Sequence, residues 1–234
     1  YVFNDNTAPS APDFASVPDT ADGTWSNQSL VITASGSTDD FTQPDDLVYE
    51  YSLDGLTYLP GNEADLTENG THTVYFRVTD ESENSVVTSK TYQIDKTLPT
   101  IDLDMTSDGS NYPGAEWTAN SVIAELTGTD TGGSGLDFCE YQVDDGSWVE
   151  GDSVTFDQSG TYNLTYRAWD QAGNSSDEGT AVIKVDLTDP EDFALDATVL
   201  GIDKIRIEAE TTDAHSGIDA YRVYNGTSWS DWME

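Results

Sequence analysis

A five-residue segment, D-x-T-x-P, occurs three times in this chain, at residues 5–9, 95–99 and 186–190. Successive copies are 90 and 91 residues apart, so the period is nearly constant. A fixed period means that each repeat is one structural unit and that short segments join the units. About 90 residues is the size of a small β-sandwich. The sequence therefore predicts repeats at residues 5–95, 96–186 and 187–234, with residues 1–4 ending a preceding repeat.

Period-2 alternation of apolar and polar residues predicts β-strands throughout, and no helical periodicity persists. With the strands of an Ig-like fold lettered A to G, A follows each proline and short C′ and E strands lie between C and F. The fold class expected is all-β, with tandem Ig-like β-sandwiches in a linear array and the third one incomplete. The longer strands are predicted as B at 29–34 and 121–127, C at 47–53 and 136–143, F at 72–79 and 161–169, and G at 85–94 and 179–185.

The third repeat has counterparts of only the first strands. We expect strands at 193–199 and 205–209 and a further strand near Tyr221 and Val223, with no sequence left for strands F and G. Half a sandwich exposes an apolar face and a sheet edge. We therefore expect another chain or further residues to complete it, and a natural polypeptide that is longer at both ends.

The chain is strongly acidic, with 45 acidic and eight basic residues and a formal charge of −37. Such a charge repels nucleic acids and anionic membrane surfaces, and it excludes nucleic acids as partners. It favours a saline or calcium-rich exterior, where ions offset the self-repulsion, although an acidic surface kept for solubility explains the same composition. Cys139 is the single cysteine, so no intrachain disulfide forms, and it is predicted to be a buried residue. No apolar run is long enough to insert into a membrane.

The second repeat carries a specific series of motifs. Together they resemble the bacterial Ig-like repeats called OmpL47-type β domains, strongly in the second repeat, moderately in the first and only in the first half of the third. The motifs are residues 117–122 (WTANSV), 127–136 (TGTDTGGSGL), 140–148 (EYQVDDGSW), 160–174 (GTYNLTYRAWDQAGN) and 185–190 (VDLTDP). The resemblance implies a non-enzymatic module of secreted or cell-surface proteins that spaces, displays or attaches something outside the cell. Such modules also accompany secreted hydrolases.

The acidic residues concentrate at the joints between repeats. In an Ig-like sandwich, strand A starts at the end that carries the BC and FG turns, so each D-x-T-x-P segment should reach those turns of the next repeat. Carboxylate and amide oxygens from three segments suit Ca²⁺, and Mg²⁺ fits less well. Asx turns and a stiff proline linker would explain the same residues without a metal. The predicted ligands are Asp95, Asp130, Asp137, Asp170 and Asn174; Asp5, Asp39, Asp40, Asp80 and Asn84; and Asp186 and Asp213.

Other candidate sites are weaker. His72 and His215 are far apart and no H-E-x-x-H or G-x-S-x-G motif occurs, so no catalytic residue is predicted. Trp169 is predicted to point outward, where it would be a candidate for stacking on a sugar. Five N-x-S/T sequons are candidate glycosylation sites, at Asn27, Asn69, Asn163, Asn174 and Asn225.

Two functions remain open on the sequence. The first is an extracellular spacer of a large surface protein, such as an adhesin stalk or a surface-layer component, stiffened by Ca²⁺ at its joints. The second is a carbohydrate-binding or accessory module of a secreted hydrolase. The expected partners are neighbouring repeats, other copies of the protein and a glycan or surface ligand, and no enzymatic activity is expected.

Overall fold

The computed structural model describes residues 5–193, 195–202, 205–225 and 227–233. These residues form strands and turns with a single 3₁₀ turn at Pro44–Asp46, so the predicted all-β class is confirmed. The described residues include no helix with the length and apolarity required to cross a membrane. The predicted strand end at residues 1–4 lies outside the described residues.

The first repeat is a sandwich of two sheets, with strand orders β1-β3-β6 and β2-β8-β7-β4-β5. Strands β7 and β8 pair along their whole length, from Gly70 opposite Ile94 to Thr79 opposite Ser85. The strands are β1 (Asp13–Val17), β2 (Trp25–Ser26), β3 (Leu30–Ser35), β4 (Val48–Ser52), β5 (Leu59–Pro60), β6 (Glu63–Leu66), β7 (Gly70–Thr79) and β8 (Ser85–Ile94).

Alternation along the strands builds the core between these sheets. Val74, Phe76 and Val78 on β7 are fully buried, as period-2 spacing requires when one face of a sheet packs inward. Phe14 from the opposite sheet meets Phe76 edge to face, with ring centroids 5.3 Å apart. The core residues are Leu30, Ile32, Ala34, Ala64, Leu66, Val74, Phe76, Tyr92 and Ile94.

The second repeat has the same two-sheet plan, with strand orders β10-β9-β12-β15 and β11-β17-β16-β13-β14. Cys139 is buried, as predicted. Its strands are β9 (Thr100–Ser107), β10 (Ser110–Asn111), β11 (Trp117–Thr118), β12 (Val122–Thr129), β13 (Leu136–Val143), β14 (Val149–Glu150), β15 (Ser153–Phe156), β16 (Gly160–Asp170) and β17 (Gly179–Val185). Its core residues are Met105, Tyr112, Val122, Ala124, Phe156, Leu164, Ile183 and Val185.

The short strands β2 and β11 were not predicted, because two residues are too few to show an alternation. Each pairs in parallel with the last strand of its repeat, Trp25 opposite Gln93 and Trp117 opposite Lys184. The chain therefore joins the second sheet briefly before it returns to the first. The short strand places Trp25 in the first repeat, and Trp117 in the second, close to the point where the linker leaves the sandwich.

Two strands are described in the third repeat. It contains β18 (Leu195–Val199) and β19 (Ile205–Ala209), which pair in antiparallel fashion and are exposed along their length. The predicted third strand near Tyr221 and Val223 is absent as a strand. Isolated antiparallel bridges join Tyr221 to Met233 and Tyr224 to Trp229 instead, since no longer neighbouring strand extends the pairing among the described residues.

The described chain divides into two compact units. The first contains the described residues up to Ile101 together with Gly128–Cys139 and Arg167–Asp177. The second contains Asp102–Thr127, Glu140–Tyr166 and the described residues from Glu178 onward. The turns that follow β12 and β16 therefore belong to the same unit as the first repeat. The repeat boundaries at residues 95 and 186 remain predictions from the sequence.

Candidate metal centres at the joints

Each joint consists of a D-x-T-x-P segment and the turns of the repeat that follows it. At the second joint, residues 95–99 leave β8, and the backbone N–H of Asp95 donates to the carbonyl of Ser26 at 2.9 Å. Pro99 is buried and β9 starts at the next residue. This path brings Asp95 to the BC turn (residues 130–135) and the FG turn (residues 170–174) of the second repeat.

Three predicted ligands converge at the second joint. Asp95, Asp130 and Asp170 each offer one carboxylate oxygen, and these three oxygens lie within 4.8 Å of one another. Asp95 is fully buried, Asp170 is 2% exposed and Asp130 is half-buried. The three side chains come from separate segments of the chain, which the folded topology brings together.

The Asp95 carboxylate is held by two backbone donors. Its Oδ1 accepts from the N–H of Thr97 at 3.0 Å, and its Oδ2 accepts from the N–H of Ser134 at 2.9 Å. Burial alone would raise the pKa of Asp95, but the hydrogen bonds from Ser134 and Thr97 outweigh it and hold that pKa below its ordinary value. The carboxylate is therefore charged at neutral pH although no solvent reaches it.

Asp130 and Asp170 cap the turns in which they lie. Asp130 accepts from the N–H groups of Gly132 at 3.0 Å and Gly135 at 2.8 Å. Asp170 accepts from the N–H of Asn174 at 2.7 Å through Oδ1. The Asx turns considered from the sequence are therefore present. Because each carboxylate oxygen has two lone pairs, both oxygens of Asp130 and Oδ2 of Asp170 can accept a further partner.

Asn174 lies in the joint but serves as a donor. Its Nδ2 donates to the backbone carbonyl of Asp95 at 2.9 Å and to Oδ2 of Asp170 at 2.6 Å. Asn84 has the equivalent role at the first joint, donating to the carbonyl of Asp5 at 3.3 Å and to Oδ2 of Asp80 at 2.9 Å. The predicted amide-oxygen ligands are therefore side chains that fasten the linker to the FG turn.

The first joint repeats this arrangement. Carboxylate oxygens of Asp5, Asp39 and Asp80 lie within 4.8 Å of one another. Oδ1 of Asp5 accepts from the N–H and hydroxyl of Thr7 at 3.0 and 2.7 Å, whereas Oδ2 is buried with no hydrogen-bond partner among the described residues. Backbone donors at Thr42 and Phe41 lower the pKa of Asp39.

Two of the aspartates predicted as ligands at the first and second joints lie outside these groups. Asp137 is exposed on β13, and Asp40 is exposed in the turn after β3. Each is close in sequence to a clustered aspartate, but its side chain faces solvent. Sequence spacing alone could not distinguish Asp137 from Asp130, or Asp40 from Asp39, as a member of a cluster. The direction of each side chain depends on backbone dihedrals that acidic composition does not reveal.

The third joint contains two of the predicted ligands, Asp186 and Asp213. Asp186 accepts from the hydroxyl of Thr188 at 2.6 Å and the N–H of Ser216 at 3.0 Å, and hydrogen bonds from these two residues hold its pKa well below the usual range. Asp213 caps its own turn by accepting from the N–H groups of His215 and Gly217 at 3.0 and 3.1 Å. Nδ1 of His215 lies 3.8 Å from Oδ1 of Asp186. In the described residues, no third acid joins this pair in a cluster like those of the other joints.

The position of Gly132 in the second joint was missed from the sequence. A Cβ built on Gly132 would lie 2.1 Å from Oδ1 of Asp95 and 2.5 Å from Oδ2, far inside contact distance. Only glycine therefore leaves room for the linker carboxylate. The sequence signal for this steric role is the glycine-rich turn at residues 131–135.

The sequons differ in accessibility. Asn174 is buried, and its Nδ2, the atom that would carry a glycan, makes two hydrogen bonds. Nδ2 of Asn27 donates to the carbonyl of Gly173 at 3.1 Å. Asn174 is thus buried and Asn27 half-buried, with joint contacts at both. Asn69, Asn163 and Asn225 are exposed, although Nδ2 of Asn69 donates to Thr97 and Nδ2 of Asn163 donates to Asp144.

Trp169 is half-buried on the outward face of β16. Its ring stacks on Phe138 with centroids 6.3 Å apart, and the Arg167 guanidinium lies 5.1 Å from its centroid. Protein groups thus already contact the ring that was predicted to stack on a sugar.

No protein-family model matches the chain, and no curated protein does. Among solved structures it is similar to the fibronectin(III)-like modules of Clostridium thermocellum CbhA (11% identity, 69% of this chain and 87% of that chain, TM-score 0.40). It is also similar to the FN1–FN3 domains of chicken CNTN1 (13% identity, 76% and 68%, TM-score 0.34). A third similar structure is a tetra-tandem repeat in the extending region of a large adhesion protein (15% identity, 89% and 65%, TM-score 0.27).

Proposed function

We propose that this chain is a non-enzymatic extracellular spacer of a large surface protein, such as an adhesin stalk or a surface-layer component. Ca²⁺ bound at its first and second joints fixes each repeat to the next. The observation that carries the proposal is the recurrence of one three-carboxylate group, at Asp5, Asp39 and Asp80 and again at Asp95, Asp130 and Asp170.

Turn capping does not explain this recurrence. Asp130 and Asp170 cap their own turns, so neither needs Asp95 beside it. Three carboxylates this close repel one another or must bind a proton, unless a cation offsets their charge. The neighbouring Lys96 does not supply that charge, because its ammonium contacts the carbonyl of Thr67 and the hydroxyl of Ser29.

The oxygens present fit calcium. Two oxygens bound to one Ca²⁺ at about 2.4 Å are at most about 4.8 Å apart, which is the limit that both groups satisfy. Oδ2 of Asp5 is a buried carboxylate oxygen that accepts no hydrogen bond from the part of the chain that the structure describes, so it can serve as a ligand atom. Ca²⁺ accepts oxygen ligands in a flexible geometry, so a group of carboxylates carried on turns suits it better than Mg²⁺, which demands a near-ideal octahedron.

The composition supports an exterior location. A formal charge of −37 is tolerated where salt or divalent cations screen it. In this proposal the acidic residues at the joints have a specific role, because Ca²⁺ would bridge a linker acid to two turns and restrict the swivel of the following repeat.

Calorimetric titration of the metal-free chain with CaCl₂ tests the proposal. We expect two sites with dissociation constants of about 1 mM or tighter, the range of extracellular calcium modules. Asp130→Asn and Asp39→Asn should each remove one site while keeping an oxygen that caps the turn. Asp137→Asn and Asp40→Asn are matched controls, since these exposed acids lie close in sequence to Asp130 and Asp39 but outside the clusters. Absence of binding, or equal losses in the control variants, would refute the calcium sites.

Chelation tests the mechanical part of the proposal. Adding chelator should lower the thermal midpoint and broaden the distance distribution between spin labels on successive repeats. An unchanged distribution in a chain that does bind calcium would separate binding from stiffening and would overturn the spacer mechanism.

A further inference from the structure

The second joint also contains a contact that involves no charge. The indole of Trp25, on β2 of the first repeat, lies against Gly133 in the BC turn of the second. A Cβ built on Gly133 would be 3.4 Å from Cη2 of Trp25, which is ordinary van der Waals contact. Gly133 has φ of +117°, a conformation that favours glycine, so the turn presents bare backbone to the ring.

The same segment reaches the other turn of the joint. Nδ2 of Asn27 donates to the carbonyl of Gly173 in the FG turn at 3.1 Å. Residues 25–27 of the first repeat thus contact both turns of the second, on atoms that are not predicted metal ligands. This agrees with the grouping of those turns into one compact unit with the first repeat.

An equivalent contact occurs at the third joint. Trp117 on β11 meets His215, in the BC turn of the third repeat, edge to face with ring centroids 6.3 Å apart. Trp25 and Trp117 occupy matching positions in the two repeats, and each pairs in parallel with the last strand of its repeat. Each sandwich therefore holds one indole at the end from which its linker leaves.

We propose that Trp25 and Trp117 form metal-independent docking sites for the BC turn of the following repeat. The partner of each site is the next repeat of the same chain, recognised through a glycine backbone at the second joint and an imidazole ring at the third. Burial of an aromatic surface supplies attraction without charge, so each joint spends part of its time closed before any cation binds.

Docking also affects the calcium sites, and this step rests on the proposed function. A cation can be bound only while linker and turns are together, so its apparent affinity falls in proportion to the closed fraction. Trp25→Ala should therefore weaken calcium binding at the second joint, and Trp25→Phe should recover part of the loss. Equal affinities in wild type and Trp25→Ala would remove this coupling.

Amide hydrogen exchange in chelator tests docking itself. The N–H of Ser134 donates to Asp95 and the N–H of Ser216 donates to Asp186, so these two amides report closure of the second and third joints. Trp25→Ala should accelerate exchange at Ser134 by roughly three- to tenfold and leave Ser216 unchanged. Trp117→Ala should accelerate exchange at Ser216 and leave Ser134 unchanged. In each variant, the amide whose exchange does not change shows that the fold is retained.

The outcomes separate the two proposals. If calcium does not bind, exchange will be the same with and without the ion, yet the reciprocal effects of the two tryptophans will persist. Unchanged exchange at Ser134 in Trp25→Ala, or equal acceleration of both amides by either variant, would overturn the docking role.

Discussion

Gly132→Ala is a direct test of how the linker carboxylate fits the second joint. The added methyl would lie 2.1 Å from Oδ1 and 2.6 Å from Cγ of Asp95, so the carboxylate must move. Gly132 does not have a positive φ, and alanine at such a position commonly stabilises by about 0.4–1 kcal/mol through the unfolded chain. Any loss of stability must therefore come from the displacement of Asp95.

The size of that loss follows from the hydrogen bonds. Moving the carboxylate breaks two charge-assisted bonds, from the N–H groups of Thr97 and Ser134. Each such bond is worth about 1.5–3 kcal/mol. We expect the joint to be destabilised by about 2–5.5 kcal/mol after the backbone gain is subtracted, equivalent to a roughly 30- to 10,000-fold faster exchange of the Ser134 amide.

A double-mutant cycle makes the test specific. In an Asp95→Ala background no carboxylate is left to displace, so Gly132→Ala should then cost almost nothing. Gly151→Ala serves as the matched control, because that glycine also lacks a positive φ and its added Cβ would be 3.4 Å from Tyr141. The reasoning fails if Gly132→Ala is neutral in the wild-type chain or costs the same in both backgrounds.

Three further outcomes follow from the structure. Phe76→Ala should destabilise the first repeat by about 3–5 kcal/mol in denaturant unfolding, since the ring is fully buried, whereas Val87→Ala, at a half-exposed position, should change stability by less than about 0.5 kcal/mol. Folding lowers the pKa of Asp95, so the ionised carboxylate contributes its full stabilisation above the unfolded-state pKa of about 3.9, and this stabilisation is lost as pH falls through the folded-state pKa. Acid unfolding of Asp95→Asn should therefore show a weaker pH dependence below about pH 4 than that of the wild-type chain. In a host that makes N-glycans, mass spectrometry should find Asn174 and Asn27 unmodified and any glycans at Asn69, Asn163 or Asn225; modification of folded chains at Asn174 would contradict its burial.

The strands were predictable because their alternation is long and regular. The strands at Ser85–Ile94, Leu136–Val143 and Gly179–Val185 have the predicted bounds, and the other long strands differ by one or two residues. In each, every second residue must enter a core, which leaves a strong signal in sequence. The two-residue strands at Trp25 and Trp117 leave none, because their pairing depends on where the chain has already placed the last strand.

The candidate site was predictable to the level of turns, since topology decides which turns meet the linker. Asp95, Asp130 and Asp170 meet as expected, yet Asp137 does not, because the direction of each side chain follows from local dihedrals. The donor role of Asn174 and the steric role of Gly132 depend on contacts between residues 37–79 positions apart. Such contacts become visible only when the segments are placed in space.

The sharing of turns between repeats gives the array a direction. Asp95 extends from the first repeat into the second, and Asp186 extends in the same way into the third, where each accepts from a serine N–H. The first and second repeats thus each supply an aspartate to the repeat that follows, and the second and third repeats each receive one. If one repeat were duplicated in frame, the copy would receive an aspartate from the repeat before it and supply one to the repeat after it. Such a chain could therefore be lengthened or shortened during evolution without a new interface.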